Sequence, residues 1–316
     1  MQMRFRDTDT AAALLAASLT MLASACKPPA REISAATPSS DGIAIHYRVE
    51  GAGEPALVFV HCWSCDSTYW DAQVKEFAPR HRVAVIDLAG HGASGLGRAA
   101  WTIEAFARDV QAVVEHLNLR RVILVGHSMG GPVALEAARA MPERVIGLVP
   151  VDTLHDADWD AEQSGLGALI DSMGNNFPVM ADLFVRSMFL PDADPALVDR
   201  IAEDMAAAPP EVAIGALRTA LTYDPRPSLQ TLRVPIRALT SEKFPLKLEV
   251  NRRYAPQFES VIVPGTGHFP MLERPQEFNR LLGEAIARIA AAPASPARRG
   301  PSRPRAVEPG RMTSAS

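Results

Sequence analysis

The sequence predicts an α/β fold, with a mostly parallel central sheet, helices on both faces and a helical cap inserted late in the chain. Short apolar segments, typical of strands buried on both faces, alternate with segments of helical periodicity. One long stretch, residues 153–229, then has helical patterns alone, and we interpret it as the cap. A chain of 316 residues is long enough for one such domain with its insertion.

The predicted elements follow one another in a regular order within a domain at residues 41–292. Thr102 is the expected N-cap of the first helix, because its hydroxyl can accept a hydrogen bond from a free backbone N–H. Pro142 is expected to end the second helix, which it cannot continue. The predicted strands are residues 43–49, 56–60, 83–88, 122–125, 145–151, 234–239 and 260–263, and the predicted helices are residues 102–117, 130–141 and 275–291.

The segments that flank this domain have a different composition. Residues 26–40 are rich in Pro, Ala and Ser, and we expect a flexible tether there. Residues 293–316 add arginines and have almost no large apolar side chains, which predicts a disordered tail. The formal net charge of the chain is -4, so it lacks the basic footprint of a nucleic-acid-binding protein.

Residues 1–25 have the layout of a bacterial export signal. Two arginines precede an apolar run at residues 11–22, which is short for a membrane span, and small residues follow it. These small residues resemble a lipobox, in which Cys26 becomes the acylated first residue of the mature protein. We therefore expect an exported protein, either periplasmic or tethered to the membrane through Cys26. A simple cut after Ala25 is the alternative.

Residues 122–131 join an apolar strand to a helix through the sequence Gly-His-Ser-Met-Gly. Ser128 stands at the centre of this turn. The glycines two residues before and after it allow the sharp bend that holds a serine hydroxyl clear of the sheet. The helix that follows directs backbone N–H groups to the same place, which favours developing negative charge. The pattern predicts that Ser128 is a catalytic nucleophile.

A serine hydroxyl is a weak nucleophile and needs an adjacent base. His268 follows the last predicted strand and precedes the last helix, which is the chain order expected for a serine turn of this kind. We predict that His268 is the general base. His127 lies beside the serine and is expected to support the turn.

Four motifs together resemble the α/β-hydrolase family, in its esterase and epoxide-hydrolase-like branch. They are Phe-Val-His-Cys-Trp at residues 59–63, Asp-Leu-Ala-Gly-His-Gly-Ala-Ser at residues 87–94, the serine turn, and Gly-Thr-Gly-His-Phe-Pro-Met-Leu-Glu at residues 265–273. The resemblance implies a serine hydrolase that cleaves a small-molecule carboxylic ester through an acyl-enzyme, with no cofactor and no metal. Epoxide hydrolases and haloalkane dehalogenases need a carboxylate at the turn, and Ser128 is not one.

The resemblance leaves two candidates for the acid that orients His268. Many relatives have an aspartate after the seventh strand, where this chain has Phe244, and the nearest carboxylate there is Glu242. Other relatives take the acid from the end of the preceding strand, where this chain has Asp152. We favour Asp152, with Glu242 as the alternative, and expect its carboxylate within hydrogen-bond distance of His268 Nδ1.

The resemblance also implies an oxyanion hole built from the N–H groups of Trp63 and Met129. Cys62 stands where relatives usually have glycine, so the backbone of this loop is expected to differ, because glycine adopts conformations that cysteine disfavours. Cys62 and Cys65 lie in the same loop, and the sequence leaves open whether they form a disulfide.

Alternatives to ester hydrolysis remain at this stage. Perhydrolases and carbon–carbon bond hydrolases use the same triad. A non-catalytic, receptor-like protein of the same fold would account for the replaced glycine at Cys62 and for the phenylalanine at Phe244. The acyl chain length and the oligomeric state are not determined by the sequence.

Overall fold

The computed structural model of the protein describes residues 32–160 and 165–292. The proposed export signal, the proposed lipidation site Cys26 and the proposed C-terminal tail lie outside these ranges. Among the helices within them, none combines the length and apolar character that crossing a membrane requires.

Within the described residues, eight strands form one sheet in the order β1-β2-β4-β3-β5-β6-β7-β8. Strand β2 runs antiparallel to both of its neighbours, β1 and β4, and all the other neighbouring strands pair in parallel. The apolar central strands are buried throughout, as expected for a parallel sheet that is covered on both faces. The strands are β1 (Ile33–Pro38), β2 (Ala44–Glu50), β3 (Ala56–Val60), β4 (Val83–Ile86), β5 (Val122–His127), β6 (Val145–Val151), β7 (Ile236–Ser241) and β8 (Phe258–Val263).

The helices cover both faces of this sheet. Helices α2 and α3 pack against each other, and α1 packs against α11. Helix α2 begins as predicted, with the Thr102 hydroxyl accepting a hydrogen bond from Ala105 N–H over 3.1 Å. The helices are α1 (Asp71–Phe77), α2 (Ile103–His116), α3 (Gly130–Ala140), α4 (Leu166–Asn175), α5 (Phe177–Arg186), α6 (Pro195–Ala206), α7 (Pro210–Thr222), α8 (Arg226–Thr231), α9 (Leu248–Tyr254), α10 (Pro270–Glu273) and α11 (Pro275–Ala291).

Helices α4 to α8 lie between β6 and β7, where the sequence predicted a helical cap. Within this insertion α5 packs on α6 and α4 packs on α7, so much of its apolar surface is buried internally. The loop after α5 reaches the sheet domain, because His268 N–H donates to the carbonyl of Met188 over 3.0 Å. The cap is therefore attached directly to the loop that carries the predicted base.

The prediction of a flexible tether at residues 26–40 was wrong for residues 33–38, which form β1. This strand pairs with β2 along its whole length. Pro38 is tolerated because β1 is an edge strand. The Ser39 hydroxyl then donates to the buried carboxylate of Asp109 over 2.6 Å. Pairing with β2 satisfies the backbone groups of this segment, and this tertiary effect outweighs its Pro-, Ala- and Ser-rich composition.

Candidate active site

Ser128 lies directly after β5, on the turn into α3, with a φ of 51°. Its backbone N–H donates to the carbonyl of Val151 over 3.0 Å, which fixes the turn to the end of β6. The flanking glycines leave no room for side chains: a Cβ at Gly126 would overlap the Gly130 carbonyl, and one at Gly130 would lie 2.5 Å from the Val60 carbonyl. The turn therefore depends on both glycines.

Ser128 and His268 line the same cavity, which has a volume of about 520 Å³. Its floor is formed by the ends of the strands and its roof by the cap. The floor includes Cys62, Trp63, Met129 and Asp152, and the roof includes Phe184, Met188, Met205, Leu217 and Leu221. The arrangement brings together in one cavity all the residues predicted for the triad and the oxyanion hole, except for Glu242.

The Asp152 carboxylate lies beside the His268 ring, and its Oδ2 accepts a hydrogen bond from His268 Nδ1 over 2.7 Å. Because a carboxylate oxygen can only accept here, the proton of the imidazole is on Nδ1. In a neutral ring the other nitrogen, Nε2, is then free to accept a proton. This is the tautomer that a general base acting on a serine hydroxyl needs.

The second carboxylate oxygen of Asp152 has two further donors. Its Oδ1 accepts from Ser241 N–H over 2.7 Å and from His155 Nε2 over 3.2 Å. Burial acts to raise the pKa of this carboxyl group, but the hydrogen bonds from His155 and His268 outweigh it and hold the pKa well below its ordinary value. Asp152 is therefore charged at neutral pH although it is almost completely buried.

Glu242, the alternative acid, has other partners. Its Oε2 accepts from Gly265 N–H over 2.8 Å, and its own N–H donates to the carbonyl of Thr266 over 3.2 Å. The ring of Phe244 lies edge-on to the His268 ring, with centroids 5.8 Å apart. The position that holds an acid in many relatives is thus part of an apolar wall of the cavity, and Glu242 supports the loop that carries His268.

The main chain of His268 is held from both directions. Its carbonyl accepts a hydrogen bond from Nε2 of His127 over 2.7 Å, opposite the contact between its N–H and Met188. Burial lowers the pKa of His127 to about 3, so this ring is neutral and keeps the proton that it donates on Nε2. His127 thus contacts the predicted base as well as supporting the serine turn, a role that its motif alone did not indicate.

The loop after β3 carries Trp63, one of the two predicted oxyanion donors. Cys62 and Cys65 are joined by a disulfide in this loop, which answers the question that the sequence left open. The positive φ of the loop is at Ser64, with a value of 52°, and Cys62 is outside the positive-φ region. Cysteine at the usual glycine position therefore does not force a left-handed conformation on itself.

The motif at residues 87–94 has a scaffolding role. The Asp87 carboxylate accepts from Ser67 N–H over 2.8 Å and from Ala93 N–H over 2.9 Å. The Ser94 hydroxyl donates to the Asp87 carbonyl over 2.6 Å. These bonds connect the segment that follows the Trp63 loop to the loop after β4.

His155 was not identified from the sequence. It lies three residues after Asp152, contacts the carboxylate through Nε2 and also lines the cavity. The only sequence signal for it was its proximity to Asp152, and no motif distinguished it from the other histidines.

Within the described residues, no group of three or more His, Cys, Asp or Glu side chains is arranged to hold a metal ion. Ser128 shares its cavity with His268 and Asp152, and these are the residue types from which a nucleophile, a base and an orienting acid are built.

Residues 57–281 match the alpha/beta hydrolase family, and the chain belongs to it. This membership, together with the esterases and the lactonase described next, makes the protein a hydrolase.

Three relatives indicate the kind of hydrolase that this chain resembles. A pimeloyl-[acyl-carrier protein] methyl ester esterase of Edwardsiella ictaluri is 29% identical over 259 residues, which are 76% of this chain and 96% of that protein. The 3-oxoadipate enol-lactonase 2 of Acinetobacter baylyi is 23% identical over 260 residues, 80% of this chain and 97% of that protein. The solved structure of a thermophilic esterase from Thermogutta terrifontis has a TM-score of 0.70 and 28% identity, and covers 82% of this chain and 99% of that one.

Proposed function

We propose that this protein is a serine hydrolase that cleaves a carboxylic ester through an acyl-enzyme. The observation that carries the proposal is that Ser128, on a left-handed turn, shares one cavity with a histidine whose Nδ1 is bonded to a buried carboxylate. Nucleophile, base and orienting acid are the minimum machinery for acyl transfer.

In the proposed reaction, Ser128 Oγ attacks the ester carbonyl while His268 Nε2 accepts the hydroxyl proton. The imidazolium formed in this step is stabilised by the Asp152 carboxylate. His268 then gives the proton to the departing alcohol, and the acyl group stays on Ser128. A water molecule, deprotonated by the same histidine, then attacks the acyl carbon. The bond from this carbon to Ser128 Oγ breaks, Oγ takes the proton back from His268, and the carboxylic acid is released.

The negative charge that develops on the carbonyl oxygen needs donors that are already in place. The backbone N–H groups of Trp63 and Met129 are proposed for this role. Both residues line the cavity beside Ser128, and Met129 also precedes α3, whose N-terminus favours negative charge.

The cavity supports an ester with an uncharged acyl group. Its cap-side wall is largely apolar, and among the described residues that line the cavity there is no lysine or arginine to bind a carboxylate. Asp156, which also lines it, is already paired with Lys247 over 2.8 Å and would repel an anionic substituent. The named activities of the relatives, an ester and a lactone hydrolysis, belong to the same reaction class.

Covalent labelling by a fluorophosphonate probe tests the proposal. The wild-type protein should gain one phosphonyl group on Ser128, and it should hydrolyse p-nitrophenyl esters. The Ser128→Ala variant should remain folded, take up no probe and lose turnover by several orders of magnitude. Folded wild-type protein that is neither labelled nor active would favour the non-catalytic, receptor-like alternative.

A further inference from the structure

The disulfide between Cys62 and Cys65 encloses one of the two proposed oxyanion donors, Trp63. Both cysteines are almost fully buried, with exposures of 1% and 3%, so the bridge lies inside the protein beside the cavity. The triad chemistry makes no use of the two sulfur atoms. Their position nevertheless bears on the direction of the Trp63 N–H.

The peptide unit between Cys62 and Trp63 is held by its carbonyl. Nδ1 of His61 donates to the Cys62 carbonyl over 2.7 Å, and Nε2 of the same ring accepts from Leu88 N–H over 2.9 Å. The peptide is trans, and in a planar trans peptide the C=O and N–H bonds point in opposite directions. The contact that draws the Cys62 carbonyl towards His61 therefore turns the Trp63 N–H away from it.

The loop also lies close to the serine turn. A Cβ added at Gly130 would be 2.5 Å from the Val60 carbonyl and 2.6 Å from the His61 carbonyl. The backbone just before Cys62 is thus packed directly against the beginning of α3, two residues from Ser128. Because the two backbones touch, a change in the path of the loop changes the distance between the Trp63 N–H and the reacting carbonyl.

After Trp63 the chain turns through Ser64, whose φ of 52° is disfavoured for a residue other than glycine. The disulfide joins the residues on either side of this turn and so resists its relaxation to an extended form. The Trp63 side chain is itself fixed to the cap, since Nε1 donates to the Ala213 carbonyl over 2.6 Å. The Trp63 side chain is thus already held by the cap, and the disulfide restrains the main chain of the loop.

We propose that the Cys62–Cys65 disulfide is a positioning element of the oxyanion hole. It keeps the turn at Ser64 closed, and with it the Trp63 N–H directed at the carbonyl oxygen of the substrate. The inference rests on the proposed ester hydrolysis. It assigns a role in the transition state to two residues that do not touch the reacting atoms.

Kinetics of the double variants Cys62→Ser/Cys65→Ser and Cys62→Gly/Cys65→Ser test the proposal, the second restoring the glycine usual in relatives. Loss of a whole oxyanion donor costs about 10²–10³ in kcat, so a misdirected one should cost about 10- to 100-fold. The serine pair should show this loss with KM changed by less than about twofold, because the donor acts mainly in the transition state. Affinity for a trifluoromethyl ketone, whose tetrahedral adduct carries an oxyanion, should fall in parallel. Thr68→Ala, an exposed change in the 3-10 helix at Ser67–Trp70 that follows the loop, is the control. It should leave kcat and the affinity for the trifluoromethyl ketone unchanged.

A purely structural bridge would lower the melting temperature and leave the kcat of the folded enzyme intact. The proposal is overturned if the kcat of the folded serine pair is within about threefold of the wild-type kcat, or if peptide mapping of the wild type finds two free thiols at these positions.

Should neither variant fold, dithiothreitol can reduce the bridge to two thiols while itself becoming oxidised. The observed kcat should then fall in proportion to the fraction of molecules with alkylatable Cys62 and Cys65 and reach the same loss of about 10- to 100-fold at full reduction. A kcat that does not follow this fraction would overturn the proposal. Fluorophosphonate labelling of the wild type separates the two hypotheses: an unlabelled protein contradicts the proposed function itself.

Discussion

Asp152 Oδ2 and His268 Nδ1 lie 2.7 Å apart, although 116 positions separate the two residues in the sequence. Asp152 directly follows β6, and His268 lies in the loop that follows β8. These strands are parallel, so both residues lie at the carboxyl-terminal end of the sheet. The N–H of Asp152 donates to the carbonyl of Leu239 in β7, so the acid is tied to the strand that carries the acid in many relatives. The carboxylate thus reaches the imidazole from the end of β6, the strand that precedes β7 in the chain and lies beside it in the sheet.

We expect Asp152→Asn to lower kcat/KM by a factor on the order of 10⁴, because an amide can neither stabilise the imidazolium nor select the Nδ1–H tautomer. Glu242→Gln should change kcat/KM by less than about threefold, since the glutamine carbonyl can still accept from Gly265 N–H. Steady-state kinetics on a p-nitrophenyl ester, with circular dichroism as a folding control, measure both. A larger loss of kcat/KM in Glu242→Gln than in Asp152→Asn would indicate that Glu242, after β7, is the acid that orients His268.

His155 is expected to position the carboxylate. His155→Ala removes one donor from Asp152 Oδ1 and should lower kcat about tenfold, which is in the range of one hydrogen bond to a charged group. His155→Gln keeps a donor and should recover most of the loss. Because His155 also lines the cavity, the separation of kcat from KM is informative: a change confined to KM would indicate that His155 contacts substrate without positioning the acid.

The charge of the cavity should determine substrate preference. A neutral acyl ester should have a higher kcat/KM than an ester of equal length that ends in a carboxylate, because Asp156 lines the cavity and disfavours a second anion there. In Asp156→Asn the ratio of kcat/KM for the neutral ester to kcat/KM for the anionic ester should decrease. This variant removes the negative charge and leaves the positive charge of its partner Lys247. Paired kinetics with the two esters test this, and an unchanged ratio in the variant would exclude Asp156 as the cause.

Acid should destabilise the protein through its buried histidines. Burial lowers the pKa of His127 to about 3, whereas an unfolded histidine has a pKa of about 6.5. Between these values the unfolded chain binds a proton that the folded chain does not, so the free energy of unfolding decreases as the pH falls from about 6.5 towards 3. His127→Gln should reduce that slope by up to about 1.4 kcal/mol per pH unit. Urea unfolding at several pH values in this window measures it, and parallel curves for the two proteins would contradict the prediction.

Export and lipidation stay a prediction, which rests on the sequence that ends at Cys26. Intact-mass analysis of the membrane fraction should show a mature chain that begins with an acylated Cys26, and Cys26→Ala should release the protein from that fraction. A soluble mature chain would contradict the tether and preserve export. An uncleaved chain in the cytosol would contradict both.

The sequence alone was sufficient for the α/β-hydrolase fold, the position of the cap and the serine turn, because each has a local pattern. Apolar runs indicate buried strands, and glycines at fixed offsets allow one sharp bend. The late strands were placed within two residues of their observed bounds. The sequence also singled out Ser128 and His268 as candidates, since each lies in a motif that needs no knowledge of distant residues.

Contacts between distant segments were decided only by the tertiary structure. Composition favoured a tether where β1 forms, because the pairing with β2 cannot be read from residues 33–38 themselves. The sequence offered Asp152 and Glu242 as candidates but gave no distance from either carboxylate to His268. The order and register of β6 and β7 place the Asp152 carboxylate at the imidazole, whereas Glu242 accepts from Gly265 N–H. Strand order, register and side-chain direction are set by packing over the whole sheet, so they lie beyond any local pattern in the chain.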